Sequence, residues 1–576
     1  MNESPGALEL LSSRVDELEK RVRALEHPGE TRSEAIVQPS VRANSDAGDN
    51  ALALETGGIL PMLGRAMLGV AGAYVLRAIA EAGVSPKLPV SVLAVVYAFG
   101  WLAWSSRASA KLERAVYAGT SALVLAPLLW ENTLKFHVFT TFASAAVLAS
   151  FIVLATLMEL RDRAKPQGVW VAQSVAAMTA GVLAFAAHQI PPFVAALLVA
   201  VLVSEIARAW DFAQAVWPLM VLITDAAIWA QIFIYAGPPD ARTSYPELST
   251  AALIAPACVL FAINGAGIVA RVVQHQIRIS VFETIQVMIA FLLALAGVRY
   301  FATQFGSIIF GVCCLALAAC LYLVSFFVLD HRDDRRNFRV FSAWSSLLLV
   351  TGSLWVLPHL GAVIVLGVAA VAATYLSRRM EAGMLELQGA AFLITAIAVS
   401  GFPRYIFDTL VGSLPRGPGS GTWIIAICAM LASLVTRRAS EAPWQRALQS
   451  VSLLLAVSAL VALLVHSVVA GTALAVTLGA HHVAFLRTFT ICLTALALAF
   501  SGSRWGRDDL THMAYVVLSF VAAKLLFEDL RHGHMEFMAA SIAVFAVALI
   551  AAPRLVTLGG RLRAGVRTET PVPTNS

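Results

Sequence analysis

Charge is scarce in this chain of 576 residues: Asp, Glu, Lys and Arg make up 13% of it, against about 25% in a soluble domain. That shortage excludes an ordinary soluble enzyme. With 59% of the residues apolar, a disordered chain and a collagen-like chain are excluded too. Long polar joints are missing; the largest outer ones are 236–249 and 403–419, neither able to fold into a catalytic domain. Also missing are GxGxxG before a helix, GxxxxGK[ST], HExxH and GxSxG. A transporter needs none of these. Cysteine is sparse: Cys258, Cys313, Cys314, Cys320, Cys428 and Cys492 all lie in apolar runs without a CxxC pair. They read as buried small hydrophobes rather than a disulfide or metal framework. His481 and His482, with His466 nearby in sequence, fall short of three converging ligands, so no metal and no cofactor is expected. Residues 1–55 contain no apolar leader, and the first span is expected to direct insertion by itself.

What the chain does contain is hydrocarbon, at a mean hydropathy of +0.78. Eighteen apolar runs are each long enough to span a bilayer, which takes roughly 17–25 residues. They are 59–80, 88–105, 115–131, 138–158, 169–188, 191–207, 213–235, 250–271, 280–300, 306–329, 340–357, 359–376, 383–402, 420–436, 448–466, 483–501, 512–528 and 536–552. The expected fold is an all-α polytopic membrane protein of about 18 transmembrane helices, with a short N-terminal coiled-coil helix. Four zones follow: the coiled coil 1–27, a disordered linker 28–55, the multi-span domain 56–552 and a basic disordered tail 553–576. Proline breaks at His188-Gln189-Ile190-Pro191-Pro192 and Leu357-Pro358-His359 read as tight turns at the membrane surface.

The net charge is +6. Its distribution argues for the positive-inside rule rather than for nucleic acid. With the N-terminus placed in the cytoplasm, the even joints and the tail carry 24 Lys and Arg, and the odd joints carry seven. That bias puts both termini on the cytoplasmic side. Counting 467–482 as a further span would place Arg504, Arg507 and the basic tail outside, so this stretch reads as an outer loop or re-entrant segment.

Near the N-terminus, Ser4-Pro5 signals a helix start. Leu8, Leu11, Val15, Leu18, Val22 and Leu25 then recur at spacings of 3, 4, 3, 4 and 3. Beta-branched residues at most a positions with leucine at d favour a parallel two-stranded coil. Arg14–Glu19 and Arg21–Glu26 are the attractive g-to-e pairs between chains. A homodimer, or another coiled-coil partner, through residues 8–25 is one reading; a solitary amphipathic helix resting on its own protein or on lipid is the other.

An ionisable group inside a span is a functional candidate by default. Asp225 sits half-way through its run, in Leu222-Ile223-Thr224-Asp225-Ala226. It is either a proton, cation or substrate contact, or a structural pair with a buried arginine, or a protonated acid bonded inside the bundle. Arg65 and Arg77 lie 12 residues apart on the first span, about 18 Å along the axis. They either snorkel at the two interfaces or pair with Asp225. Asn264, beside Gly265, Ala266 and Gly267, marks either close helix packing or a ligand contact. Lys524 and Glu528, with Asp529 next, are in the weaker order for a local helix pair, so partners on other helices are expected. Asp408, in the loop 403–419, is the faint candidate for enzyme chemistry.

Gly69-Val70-Ala71 and Leu76-Arg77 in the first span, Gly83 and Pro86 just after it, and Lys524-Leu525-Leu526-Phe527-Glu528-Asp529-Leu530 before the last span carry a resemblance. The chain resembles a bacterial family of predicted polytopic inner-membrane proteins of unknown function, which open with a coiled coil and a linker. The resemblance implies a fold and an inner-membrane location, and no activity. From the residues themselves, a carrier or flippase for an envelope-related or lipid-linked substrate comes first. A membrane scaffold acting through the coiled coil is the alternative, and an intramembrane enzyme has the least support. Reporter fusions at the two termini are expected to read out from the same, cytoplasmic, compartment; opposite compartments would overturn the orientation.

Overall fold

The computed structural model describes residues 45–82, 86–108, 110–161, 168–210, 212, 215–329, 335–380, 383–411, 417–435, 443–473, 479–529 and 535–568. Among these residues there are nineteen α-helices and no strand. In chain order they are α1 (Ser45–Glu81), α2 (Lys87–Ser105), α3 (Lys111–Trp130), α4 (Thr141–Arg161), α5 (Trp170–Ala186), α6 (Ile190–Ala209), α7 (Trp217–Ala236), α8 (Thr250–His275), α9 (Val281–Phe301) and α10 (Gln304–Leu323). They continue as α11 (Arg335–Val356), α12 (His359–Met380), α13 (Gly383–Ser400), α14 (Phe402–Leu410), α15 (Ser420–Val435), α16 (Pro443–Ala473), α17 (Ala480–Trp505), α18 (Asp508–Lys524) and α19 (Met535–Thr568). Helices are the form such runs must take, because hydrocarbon offers no partner to an open backbone N–H or C=O. Sixteen are long and apolar enough to cross a membrane; α5 and α15 are apolar but shorter. The chain is therefore a multi-pass integral membrane protein.

Local signals set the helix ends. Ser249 caps α8, Thr303 caps α10, and Pro191, Pro218 and Pro403 sit in the first turns of α6, α7 and α14. The two proline breaks are tight turns: Ala186 and Ile190 bound one, with His188 at φ 51, and Val356 and His359 bound the other.

The chain folds as two compact units, Met1–Leu125 with Pro166–Gly168, and Ala126–Lys165 with Val169–Ser576. In the first, the Tyr97 hydroxyl donates to the Gly69 carbonyl oxygen at 3.0 Å, tying α2 to α1. In the second, α10 and α11 approach through Gly311 and Gly352. A Cβ on Gly352 would lie 2.7 Å from the Gly311 carbonyl oxygen and 2.7 Å from Leu315 Cγ. Only hydrogen fits there, the device by which small residues let membrane helices meet backbone to backbone.

Several expectations are corrected. The coiled coil 1–27 and residues 28–44 lie outside the described residues, but residues 45–55, read as linker, belong to α1. Residues 553–568, read as tail, continue α19. Tertiary contact carries that extension: a Cβ on Gly559 would run into Ser503 Oγ of α17, so the two helices touch beyond the last apolar run. Residues 467–473, read as an outer loop or re-entrant segment, extend α16 instead. The loop 403–419 contains α14. Of the cysteines, Cys313 and Cys320 are exposed and Cys258 is half-buried; only Cys314, Cys428 and Cys492 are buried. A thiol is apolar enough to face lipid as readily as core.

Gly352→Leu is expected to force α10 and α11 apart and destabilise the fold by about 1–3 kcal/mol, the usual range for overpacking. Thermal unfolding in detergent checks this; an unchanged midpoint would mean the helices do not meet so closely.

Candidate functional site

Four consecutive helices of the second unit turn their polar residues toward one another. α6 and α8 end where α7 and α9 begin, so one rim of this bundle collects two helix C-termini and two N-termini. Four charges from three helices meet there. On α6, Glu205 and Arg208 are three residues apart and bonded, Arg208 Nη1 to Glu205 Oε1 at 2.7 Å. On α8, Arg271 donates through Nη1 to Glu205 Oε2 at 2.5 Å and through Nη2 to Glu283 Oε1 at 2.7 Å. On α9, Glu283 Oε1 also accepts from Arg208 Nη2, which closes the ring.

Three of the four members are also held from outside the ring. Glu283 belongs to a capping box: its backbone N–H donates to Ser280 Oγ at 3.1 Å, and its Oε2 accepts from the Ser280 N–H at 2.8 Å. One carboxylate oxygen is thus fixed by local sequence, and the other is left to the arginines. The Arg208 guanidinium lies over the Trp217 ring of α7, 3.7 Å from its centroid. Glu205 rests against α8 at Gly267, where a Cβ would run into Oε2, so glycine makes the room for the carboxylate. His275 Nε2 lies 2.8 Å from the Ala209 carbonyl oxygen and joins the same two helix ends. Two positive and two negative side chains therefore neutralise one another; Arg271 and Glu205 keep only 6% and 4% of their side-chain surface exposed.

Farther in, the seam becomes short of donors. Gln286 follows Glu283 by three residues, about 4.5 Å along α9. It donates through Nε2 to Asp225 Oδ2 of α7 at 2.7 Å. Both residues are buried, Asp225 at 7% exposure and Gln286 at 1%. Asp225 Oδ1 and Gln286 Oε1 have no donor among the described residues. The same holds for Oδ1 of Asn264, whose Nδ2 is taken by the Leu260 carbonyl oxygen at 3.1 Å. It holds again for Oε1 of Gln231, whose Nε2 donates to the Ala252 carbonyl oxygen at 2.9 Å. Asn264 precedes Arg271 by seven residues and so shares its face of α8, two turns deeper. An unbonded buried acceptor of this kind suits a proton, a water molecule or a small cation, each of which supplies what the oxygen lacks. Among the described residues, no group of three or more His, Cys, Asp or Glu stands together to hold a metal ion.

The six residues singled out by sequence scatter. Asp225 and Asn264 lie in the bundle of α6 to α9, and the partner of Asp225 is Gln286. Arg65, on α1, bonds Tyr117 OH at 3.3 Å and faces Glu113 Oε1 at 3.8 Å. Arg77 meets Glu81 one turn on, at 3.4 Å, with 39% of its side chain exposed. Lys524 is buried at the end of α18 and donates to the Thr488 hydroxyl at 2.9 Å and the Ala484 carbonyl oxygen at 3.2 Å, both on α17. Glu528 falls in the π-helical turn Leu525–Asp529. Asp408 offers its carbonyl oxygen to Arg487 Nη2 at 3.1 Å, while its carboxylate faces Arg404 at 3.9 Å.

Sequence reasoning missed the ring. It counted Arg208 and Arg271 as joint charges and passed over Glu205, Glu283, Gln286 and Arg487. Two signals were available: Glu205 and Arg208 stand three apart, and Ser280-Val281-Phe282-Glu283 spells a capping box before an apolar run. A scan against protein-family models, and searches of curated proteins and of solved structures, find no match to this chain.

Breaking the ring on one side strands a charge. Arg271→Ala is expected to destabilise the protein by about 3–5 kcal/mol. Arg271→Met combined with Glu205→Met, which keeps the balance, should recover much of that. Thermal unfolding of the three proteins decides it; a single variant no weaker than the double would show that the ring is not a unit.

Proposed function

We propose that this protein is a carrier of the inner membrane in which Asp225 takes up and releases a proton or small cation. One observation supports the reading. A carboxyl group in the middle of an apolar helix is bonded through one oxygen only, and its amide partner also has an oxygen to spare. A purely structural carboxyl is usually bonded at both oxygens, because an unsatisfied buried acceptor is costly. A group that cycles between charged and neutral forms has to leave one oxygen for the incoming charge. The ring of Glu205, Arg208, Arg271 and Glu283 fixes the helix ends around this pair.

The cargo in this reading is envelope-related or lipid-linked. Both termini face the cytoplasm, following the distribution of Lys and Arg, and α5 and α15 complete eighteen spans with the sixteen longer helices. Arg77 meets Glu81 one turn along its own helix, with 39% of its side chain exposed.

A second reading, a membrane scaffold assembled through residues 8–25, is favoured by a different observation. Two cavities of the second unit, about 510 and 640 Å³, have no wall from Asp225 or Gln286 among the described residues. In a strain whose deletion has an envelope phenotype, Asp225→Asn at normal expression should fail to complement, and Arg77→Ala should succeed. Full complementation by Asp225→Asn would remove the carrier reading. Loss of complementation, or of oligomer size, on removing residues 1–27 alone would establish the scaffold in its place.

A further inference from the structure

Away from the polar seam, the second unit has a long apolar groove. Its first half, about 510 Å³, lies between α8, α9, α10 and α11, with Phe261, Ala266, Leu317 and Trp344 in its walls. Its second half, about 640 Å³, is lined from Thr250 to Phe261 on α8 and from Val298 to Leu317 on α9 and α10. The halves share Phe261 and Leu317 and meet there. The hollow exists because α8 offers small residues, Ala262, Gly265, Ala266 and Ala270, to that side. A Cβ built on Gly265 would touch nothing within 4 Å. The hydroxyl of Thr284, at the edge of the first half, already donates to the Ser280 carbonyl oxygen at 3.1 Å, so the walls ask for no polar ligand.

The first half ends at a basic rim. Asn337 of α11 accepts from the Ile279 N–H at 3.1 Å and donates to the Ile277 carbonyl oxygen at 3.0 Å. Arg278 is therefore held beside α11, whose first turns carry Arg336 and Arg339. All three arginines are exposed, while Ile279 and Val340, next to them in sequence, line the groove. Among the described residues of this rim, Arg278, Arg336 and Arg339 are the exposed charges that flank Ile279 and Val340 of the groove wall. From Ala270 to Phe261 the first half follows α8 for about 14 Å, close to the depth of one leaflet of a bilayer about 30 Å thick.

We propose that this half-groove holds an acyl chain of an anionic phospholipid, with the phosphate headgroup met by Arg278, Arg336 and Arg339. Charge complementarity selects the headgroup: basic clusters at the mouths of clefts between membrane helices attract anionic lipids in preference to neutral ones. Depth and apolar walls select the tail. The inference goes beyond the carrier reading and does not rest on Asp225. It concerns a separate face of α8 and needs only that the chain lies in a bilayer.

The test uses the full-length protein, delipidated in detergent and re-equilibrated with phosphatidylglycerol or phosphatidylcholine, with retained lipid counted by native mass spectrometry. Wild type should retain phosphatidylglycerol in preference. The triple variant Arg278→Ala, Arg336→Ala, Arg339→Ala should lose that preference by about fivefold for each arginine removed. Gly265→Phe, which fills open space, should lose both lipids while keeping its thermal midpoint; Ala266→Trp tests the same hollow should the first variant fold poorly. Asp225→Asn should retain lipid as wild type does, so failure of the carrier reading leaves this result standing. Unchanged retention in the triple variant and in the groove-filling variant would overturn the proposal. So would displacement of the lipid by inorganic phosphate alone, which would mark a free-anion site. A disulfide-linked dimer formed through Ala266→Cys in vesicles would overturn it in favour of a second copy of this chain.

Discussion

A charge carried into hydrocarbon has to meet its opposite within hydrogen-bond reach, and the bundle of α6 to α9 is arranged around that requirement. Arg271 reaches both Glu205 and Glu283, and Arg208 reaches the same two carboxylates from the other side. Desolvating four ions is expensive, and their attraction offsets the cost only where every oxygen and guanidinium nitrogen is placed well. The placement comes from neighbours that are not charged: the capping box at Ser280, the Trp217 ring and the bare backbone at Gly267. The ring joins α6 to both α8 and α9, and one turn along α9 from Glu283, Gln286 meets Asp225 of α7.

The contrast between ring and seam gives the bundle its chemical character. At the rim, acids and bases match and leave little over. A turn deeper the composition shifts to amides and a single carboxyl, and the acceptors outnumber the donors. An arginine beside Asp225 would hold the carboxylate charged and fix it. Gln286 satisfies one oxygen and imposes no charge. The groove follows another rule. Its walls are apolar and complete, its charges stand outside at the mouth, and it asks for a partner that is oily along most of its length and anionic at one end.

Much of this architecture was legible in the amino-acid order. Apolar runs separated by short charged joints leave one answer in a bilayer, since backbone groups must be paired within each helix; sixteen long apolar helices stand where runs were read. Helix ends were harder. The continuation of α19 through residues 553–568 depends on Gly559 lying against Ser503, a contact between segments more than fifty residues apart. Asp225 was legible as an isolated acid in an apolar run. Its partner was not, because a glutamine in a span carries no charge to draw attention and its face is set by how α7 and α9 rotate.

Composition and order by themselves determined that this is a helical membrane protein, which runs become its long helices, and that Asp225 is out of place in its run. Tertiary structure alone decided which charges count as interior. Arg208 and Arg271 stand at the ends of apolar runs, where a linear reading takes them for solvated loop residues. Packing of α6 against α8 buries Arg271 and half-buries Arg208. The reason is geometric: a helix rotates 100° per residue, so whether an end-of-run arginine points to water or inward depends on its neighbours' positions, which no local stretch of sequence contains.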